Sequence, residues 1–422
     1  MRFLGKKLLV LGTSVASVDI VNYARENGAY VIVTDYLPTE KSKAKQMADE
    51  AAMVSTTDVE AICRLALEKQ VDGVFCGVSE TNLCAVQAVC EKLRLPCYFN
   101  AKQWELCQKK NLFKALCREH GVPCPKECVI RNPSETLPEE MQFPVIIKPT
   151  DACSGAGISV CFHEEELREG LRRALEASES KTAMLEEYLQ GTEITAVYTI
   201  IDGEISLSCV RDRFPSEERE HITAQFDLCL WPSKYYEIFV NTADEPLRAL
   251  LKSVGIRNGC VFFQGIVDDS TVKIFECGLR MNGLADYYLI SECNGIDYMK
   301  LMVSFALGCP IDKQVLTADN PNPQGFHAVF NMTAHEGTIK SVTGLQEAQN
   351  LPNVIHASFL HSPGQEIAER GSLAQSVFRA YISCETKDEL IECIQKLQDC
   401  VHVTDTLGRD MLYRKFRVER LV

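Results

Sequence analysis

Two periodicities alternate through the first hundred residues, and this alternation restricts the fold more than any other feature. Short apolar runs, "KLLVLG" (7–12), "AYVIVTD" (29–35), "VDGVFCG" (71–77) and "LPCYFN" (95–100), are separated by stretches with helical spacing, such as Val18, Val21 and Ala24. Strands that are apolar on both faces need helices on both sides, so this rhythm predicts a parallel sheet with covering helices. Sites of such sheets lie beyond the C-terminal ends of the strands.

The residues at those ends are informative. The turn Gly12 to Ser17 keeps only the first glycine of a G-x-G-x-x-G fingerprint, and Asp35 closes the second strand where a ribose-binding acid would stand. Dinucleotide binding is weakly signalled. Ser79 and Glu80 follow "VFCG" and read either as a wall of a small-molecule site or as a helix N-cap with its first-turn carboxylate. The opening "MRFLGKKLLVLG" imitates a secretory signal but runs at once into a helical pattern, so it is read as the first strand.

At 422 residues the chain is long enough for two or three cores. Its net charge of -14 opposes long-range attraction to nucleic acid or an acidic membrane, and no stretch is long enough to span a bilayer. The 20 cysteines contain no C-x-x-C pair and fall within apolar patterns, which suits a reducing, cytoplasmic setting.

Downstream, "KQWELCQKKNLFKALCREHGVPCP" places Trp104, Cys107, Leu112, Phe113, Leu116 and Cys117 on one face of a helix that Gly121, Pro123 and Pro125 end. Shorter strands follow, interrupted by the helix "HEEELREGLRRALEAS". In "VIIKP" the lysine, Lys148, shares a face with Ile146, and an ammonium there needs an anion. The loop Asp151 to Gly157 is built of small residues whose N–H groups can approach one closely. Lysine and loop together suggest a phosphate cradle, and Lys109 or Lys110 is placed to reach it from the preceding helix. "VFFQGIVDDSTVKIFECGLRMNG" puts Gln264 and Glu276 on successive strands around an Asp-Asp turn, as oxygen ligands for Mg2+. Arg280 stands four residues on, suited to a phosphoryl group or an oxyanion. Beyond "DNPNPQGF" lies a smaller α+β region around the helix "KDELIECIQKLQ".

Taken in order, these segments resemble the ATP-grasp superfamily, specifically its biotin-carboxylase-like and L-amino-acid-ligase-like carboxylate-amine ligases. The resemblance rests on Lys110, Lys148, the loop through Ser154, Gly155 and Gly157, the hinge Glu186, Glu187, Tyr188 and Leu189, then Glu193, Gln264, Glu276 and Arg280, across about residues 100 to 310. It implies α/β and α+β architecture in three parts: a Rossmann-like pre-ATP-grasp domain (1–105), a two-lobed ATP-grasp domain (106–320, smaller lobe about 129–190) and a small C-terminal α+β domain (321–422). It implies ATP and Mg2+ as cofactors, with Lys110, Lys148 and the loop on the phosphates, the hinge and Glu193 on the nucleoside, Gln264 and Glu276 on the metal, and Arg280 and Lys148 catalytic.

The implied reaction makes an acyl phosphate from a carboxylate, then joins it to an amine or ammonia with release of ADP and phosphate. A purine-pathway or carboxyphosphate-forming enzyme, or a non-catalytic ATP-binding regulatory protein, is the alternative. Small-molecule carboxylates and amines are the expected partners, and a homodimer is expected by analogy alone. Glu80, Arg211, Arg213, His221 and Asn282 are the candidates for substrate contact. The chain departs from the family in two places: Lys109 stands where many members have aspartate, and Gly278 where many have a metal-binding asparagine.

Overall fold

The computed structural model describes residues 2–132, 134–135, 137–139, 141–151, 157–216, 225–268, 270–368, 373–413 and 415–421. The N-terminal alternation folds into a parallel sheet with helices, with two differences: "LPCYFN" (95–100) forms no strand, and a short strand at Glu50–Ala52, not among the expected runs, joins the sheet edge. Strands β1 (Lys7–Leu11), β2 (Tyr30–Thr34), β3 (Glu50–Ala52) and β4 (Gly73–Cys76) form a parallel sheet in the order β3-β2-β1-β4. Helices α1 (Val15–Glu26), α2 (Lys43–Met47), α3 (Val59–Lys69) and α4 (Glu80–Leu93) accompany it. Leu8 to Leu11 and Val31 to Val33 are fully buried, as strands covered on both faces must be.

The helix expected as one piece is two, α5 (Ala101–Gln108) and α6 (Lys110–Glu119), broken where Lys109 adopts extended backbone (φ -74°, ψ 110°). The break lets the two halves bury different aromatic residues. Trp104 stacks on Phe99 of the N-terminal unit at 5.1 Å, while Phe113 stacks on Phe263 of the large sheet at 6.1 Å. No glycine or proline marks this break.

A small antiparallel sheet follows, β5 (Glu127–Ile130), β6 (Val145–Pro149), β7 (Ser159–Cys161) and β8 (Ala183–Glu187), in the order β5-β8-β6-β7. Helix α7 (Glu164–Ala177) covers it through Leu167, Leu171 and Leu175, which meet Val145, Ile147 and Leu185 in a core of their own.

The large sheet is antiparallel and eight-stranded. It begins with β9 (Thr192–Ile201), β10 (Glu204–Pro215), β11 (Phe226–Trp231), β12 (Gly259–Val267) and β13 (Val272–Gly278). The chain then adds β14 (Phe326–Thr333), β15 (Gly337–Thr343), β16 (Val354–Phe359), β17 (Glu366–Ile367), β18 (Ser376–Cys384) and β19 (His402–Asp405). The order in the large sheet is β13-β12-β9-β10-β11-β14-β18-β16, and β17-β15-β19 form a separate three-stranded sheet. The large sheet therefore runs without interruption across residue 320. Directly paired residues of an antiparallel ladder share a face. Glu276, Gln264, Thr195 and Arg211 thus stand in one row across four strands. Among the described residues no helix is long and apolar enough to cross a membrane.

Candidate active site

The β12–β13 hairpin holds Gln264 and Glu276 directly across from each other, as the Asp-Asp turn and alternation predict. Glu276 keeps an open face to solvent. Desolvation by the surrounding protein pushes its carboxyl up from the ordinary range; Glu80 adds to the rise, while Lys110, Lys148 and Arg280 oppose it. Groups from four separate segments thus act on one carboxylate: Lys110 at the start of α6, Lys148 on β6, Glu80 at the start of α4 and Arg280 just after β13. Lys109 instead pairs with Glu105 at 2.6 Å on the exposed side of α5, so Lys110 is the lysine that acts on this centre.

Arg280 is fixed before any ligand arrives. Its Nη2 lies 2.8 Å from Glu80, its Nη1 donates to the Met281 carbonyl at 3.1 Å, and its guanidinium covers the Phe262 ring at 5.0 Å. Ser79 is the N-cap of α4 and accepts from the Asn82 N–H, which sets Glu80 in the first turn facing Arg280. Phe262 also accounts for Gly278. A Cβ at residue 278 would stand 2.2 Å from that ring, so the aromatic support of Arg280 occupies the space an asparagine would need. Asn282 does not make up the loss, because its Oδ1 accepts the Leu284 N–H at 2.9 Å and shapes the loop.

The donor set still fits one hard cation. Gln264 turns its amide N–H toward Glu193 (3.4 Å), leaving the amide oxygen to join the Glu276 carboxylate. Two protein oxygens suit Mg2+, which usually completes its shell with phosphate oxygens and water.

Lys148 meets its anion: Nζ lies 2.6 Å from Glu186 and 5.3 Å from the centre of the Phe275 ring. A second, fully buried lysine, Lys114 of α6, stands 3.6 Å from Glu186 and 3.7 Å from Glu127, which Arg118 also bonds. Burial alone would raise the Glu186 carboxyl, but the Lys148 and Lys114 ammoniums outweigh it and hold the group below the usual carboxylate range. Lys114 was missed in the sequence. Its signal was a lysine on the apolar face of a helix, beside Phe113 and three residues before Cys117.

The cradle loop begins at Asp151, anchored by the Ser178 hydroxyl (2.8 Å) and the Ser180 N–H (2.7 Å). It ends at Gly157, whose φ of +71° and contact with Pro149 and Ala177 exclude a side chain. Ser154 and Gly155 lie outside the described residues, as does His221.

The hinge is shorter than expected. Glu186 and Glu187 lie in β8, paired on both sides with β5 and β6, so their peptide groups are already used. Free edges for an adenine begin only after Tyr188, whose N–H donates to the Pro144 carbonyl, so Leu189 is the first candidate. Glu187 pairs with Lys273 at 2.7 Å. Glu193 pairs with Arg213 at 2.6 Å, and Arg211 with Asp286. Asp35 is buried against Lys45 at 2.8 Å, so its carboxylate already has a cation as partner.

The family model for the D-ala D-ala ligase C-terminus matches residues 118–224, which include β5 to β10. The carbamoyl phosphate synthase large chain of Clostridium beijerinckii is 24% identical over 72% of this chain, which spans 29% of that protein's length. Two solved structures superpose on nearly the whole chain. The L-amino acid ligase of Bacillus licheniformis does so with a TM-score of 0.79 at 17% identity, covering 96% of this chain and 99% of its own. The biotin carboxylase domain of Hydrogenobacter thermophilus 2-oxoglutarate carboxylase, in complex with MgADP, ADP and bicarbonate, gives 0.76 at 17% identity, covering 97% of this chain and 90% of its own. The superpositions span nearly the whole chain, and the chain has the ATP-grasp fold.

Proposed function

We propose that this chain is an ATP-dependent carboxylate-amine or ammonia ligase that works through an acyl phosphate and releases ADP and phosphate. The observation that carries the reading is the convergence of Lys110, Lys148, Arg280 and Glu80 on the Glu276 carboxylate opposite Gln264. Cations fixed around a metal-binding carboxylate are what phosphoryl transfer requires, because its transition state demands alignment and charge compensation more than covalent help.

In this reading Lys148 and Lys110 align the nucleotide phosphates, and Leu189 with Gln190 offers peptide edges to the adenine. Glu193 is the ribose-side acid, held by Arg213 and Gln264 until a ligand competes. Gln264 and Glu276 would hold Mg2+, which supplies charge neutralisation at the phosphate oxygens. Arg280 orients the reacting carboxylate and offsets charge at the tetrahedral stage, and Glu80 keeps its guanidinium in register. Because Phe262 and Glu80 already fix the arginine, little reorganisation remains at the moment of transfer.

A carboxyphosphate-forming reaction is the second reading. The match to carbamoyl phosphate synthase large chains supports it, and bicarbonate would then replace the organic carboxylate. Phosphate release from ATP and Mg2+ separates the two. Stimulation by pooled organic carboxylates supports the ligase, whereas stimulation by bicarbonate alone supports the second reading. ATP binding with no turnover on either panel would leave a nucleotide-binding regulator.

A further inference from the structure

The sheet face that carries Gln264 and Glu276 continues toward β18, and there it becomes cationic. Arg211 and Arg213 project from β10, and Arg379 stands on β18 directly across from Asn331 of β14. All three guanidiniums act on the Cys229 thiol of β11, and Arg213 and Arg379 cover the Phe226 ring at 5.5 and 5.7 Å. Two carboxylates answer them within ion-pair distance, Glu193 at Arg213 and Asp286 at Arg211. Among the described residues Arg379 has no carboxylate partner: its Nη1 donates to the Gly283 carbonyl at 3.1 Å. Arg379 is 7% exposed and Arg211 2%, yet among the described residues Nε of Arg379 and both Nε and Nη2 of Arg211 lack an acceptor. Asp19 lies beyond Tyr381, where it accepts from the Tyr287 hydroxyl.

Guanidinium N–H groups buried without an acceptor are costly, and a planar carboxylate matches their fork. The loop from Arg280 to Asp286 touches both ends of the arrangement. Arg280 faces Glu276 at its start, Gly283 meets Arg379 in its middle, and Asp286 holds Arg211 at its end. We infer that Arg379 and Arg211 receive a second carboxylate of the substrate, so that the acid activated at Arg280 is a dicarboxylate. This rests on the ligase reading for the role of Arg280.

The test uses the full chain with Mg2+ and a non-hydrolysable ATP analogue. The α,ω-dicarboxylates from malonate to pimelate are titrated calorimetrically, each against its own half-amide. At least one chain length binds tenfold or more tightly than its half-amide, and Arg379→Gln brings that ratio to within twofold of one. Arg379→Lys, which keeps the charge and loses the fork, gives an intermediate ratio. The inference falls if no chain length discriminates. It also falls if Arg379→Gln weakens dicarboxylate and half-amide equally, because the arginine then only holds Gly283. Two further titrations separate the claims: failure of the analogue alone to bind counts against the ligase reading, while the acid-to-amide ratio measured without nucleotide still judges the pocket.

Discussion

Replacing Glu186 with glutamine should damage the small lobe more than replacing the lysine buried beside it. Glu186 is 1% exposed and shared by two ammoniums, Lys148 at 2.6 Å and Lys114 at 3.6 Å. At an effective permittivity of about 20, each contact is worth about 4 to 6 kcal/mol before desolvation is subtracted. Glu186→Gln leaves buried Lys114 with Glu127 as its ion-pair partner among the described residues and takes from Lys148 its close ion pair, and stranding buried charge costs about 3–5 kcal/mol net. Lys114→Met acts differently. Glu186 keeps Lys148 and Glu127 keeps Arg118, while the thioether fills the apolar site, so the cost should stay below about 2 kcal/mol. Amide hydrogen exchange of β5, β6, β8 and α6 reads these energies locally. The glutamine variant should lose protection there by roughly 10²-fold or more, since about 1.4 kcal/mol corresponds to a factor of ten. A loss under tenfold, or a methionine variant as damaged as the glutamine one, would refute the shared counter-ion.

The same pair fixes a pH response: because the folded Glu186 carboxyl lies below its unfolded value, its stabilisation is present above that value and lost as pH falls through the folded one, so protection of β8 in wild type should collapse in acid and Glu186→Gln should flatten the profile. Asp319 has the opposite sign. Burial pushes its carboxyl up to about 6 against the hydrogen bond from Ser208, so stability is greatest below the unfolded value and falls as pH rises through 6. Asp319→Asn should remove a slope of about 3 kcal/mol between pH 4 and 6 in urea titrations followed by circular dichroism. Gly278→Asn should cost about 1–3 kcal/mol by overpacking against Phe262, and Phe262→Ala should recover part of that while loosening Arg280, visible as lost turnover. Arg280→Ala should lower turnover about 10²-fold or more while calorimetry still finds ATP binding; more than half of wild-type activity would remove Arg280 from the chemistry.

Much of the fold was legible because its signals are local. Double-sided apolar strands marked the parallel sheet, and the alternation of "VFFQGIV" and "TVKIFECG" placed Gln264 across from Glu276 before any pairing was known. Lys148 stood out because an ammonium among branched apolar residues needs an anion. What stayed hidden depends on contacts between distant segments. The break at Lys109 follows from Trp104 and Phe113 packing against different units. The Gly278 departure read as a missing ligand, and only the Phe262 ring, sixteen residues earlier in the chain, shows what fills the space. Lys114 read as an ordinary helix lysine until Glu127 and Glu186 closed around it. The continuation of the large sheet into β14 and β18 was hidden because a ladder between β11 and β14 leaves no trace in either strand alone.

The central claim is that a carboxylate is phosphorylated at the centre formed by Glu276, Lys148, Lys110 and Arg280, and hydroxylamine trapping tests it most directly. With ATP, Mg2+ and a carboxylate panel, hydroxamate should form one-to-one with ADP and disappear in Arg280→Ala. ATP cleaved to AMP and pyrophosphate, or ADP formed with no hydroxamate on any carboxylate, would contradict the acyl phosphate and the reading built on it.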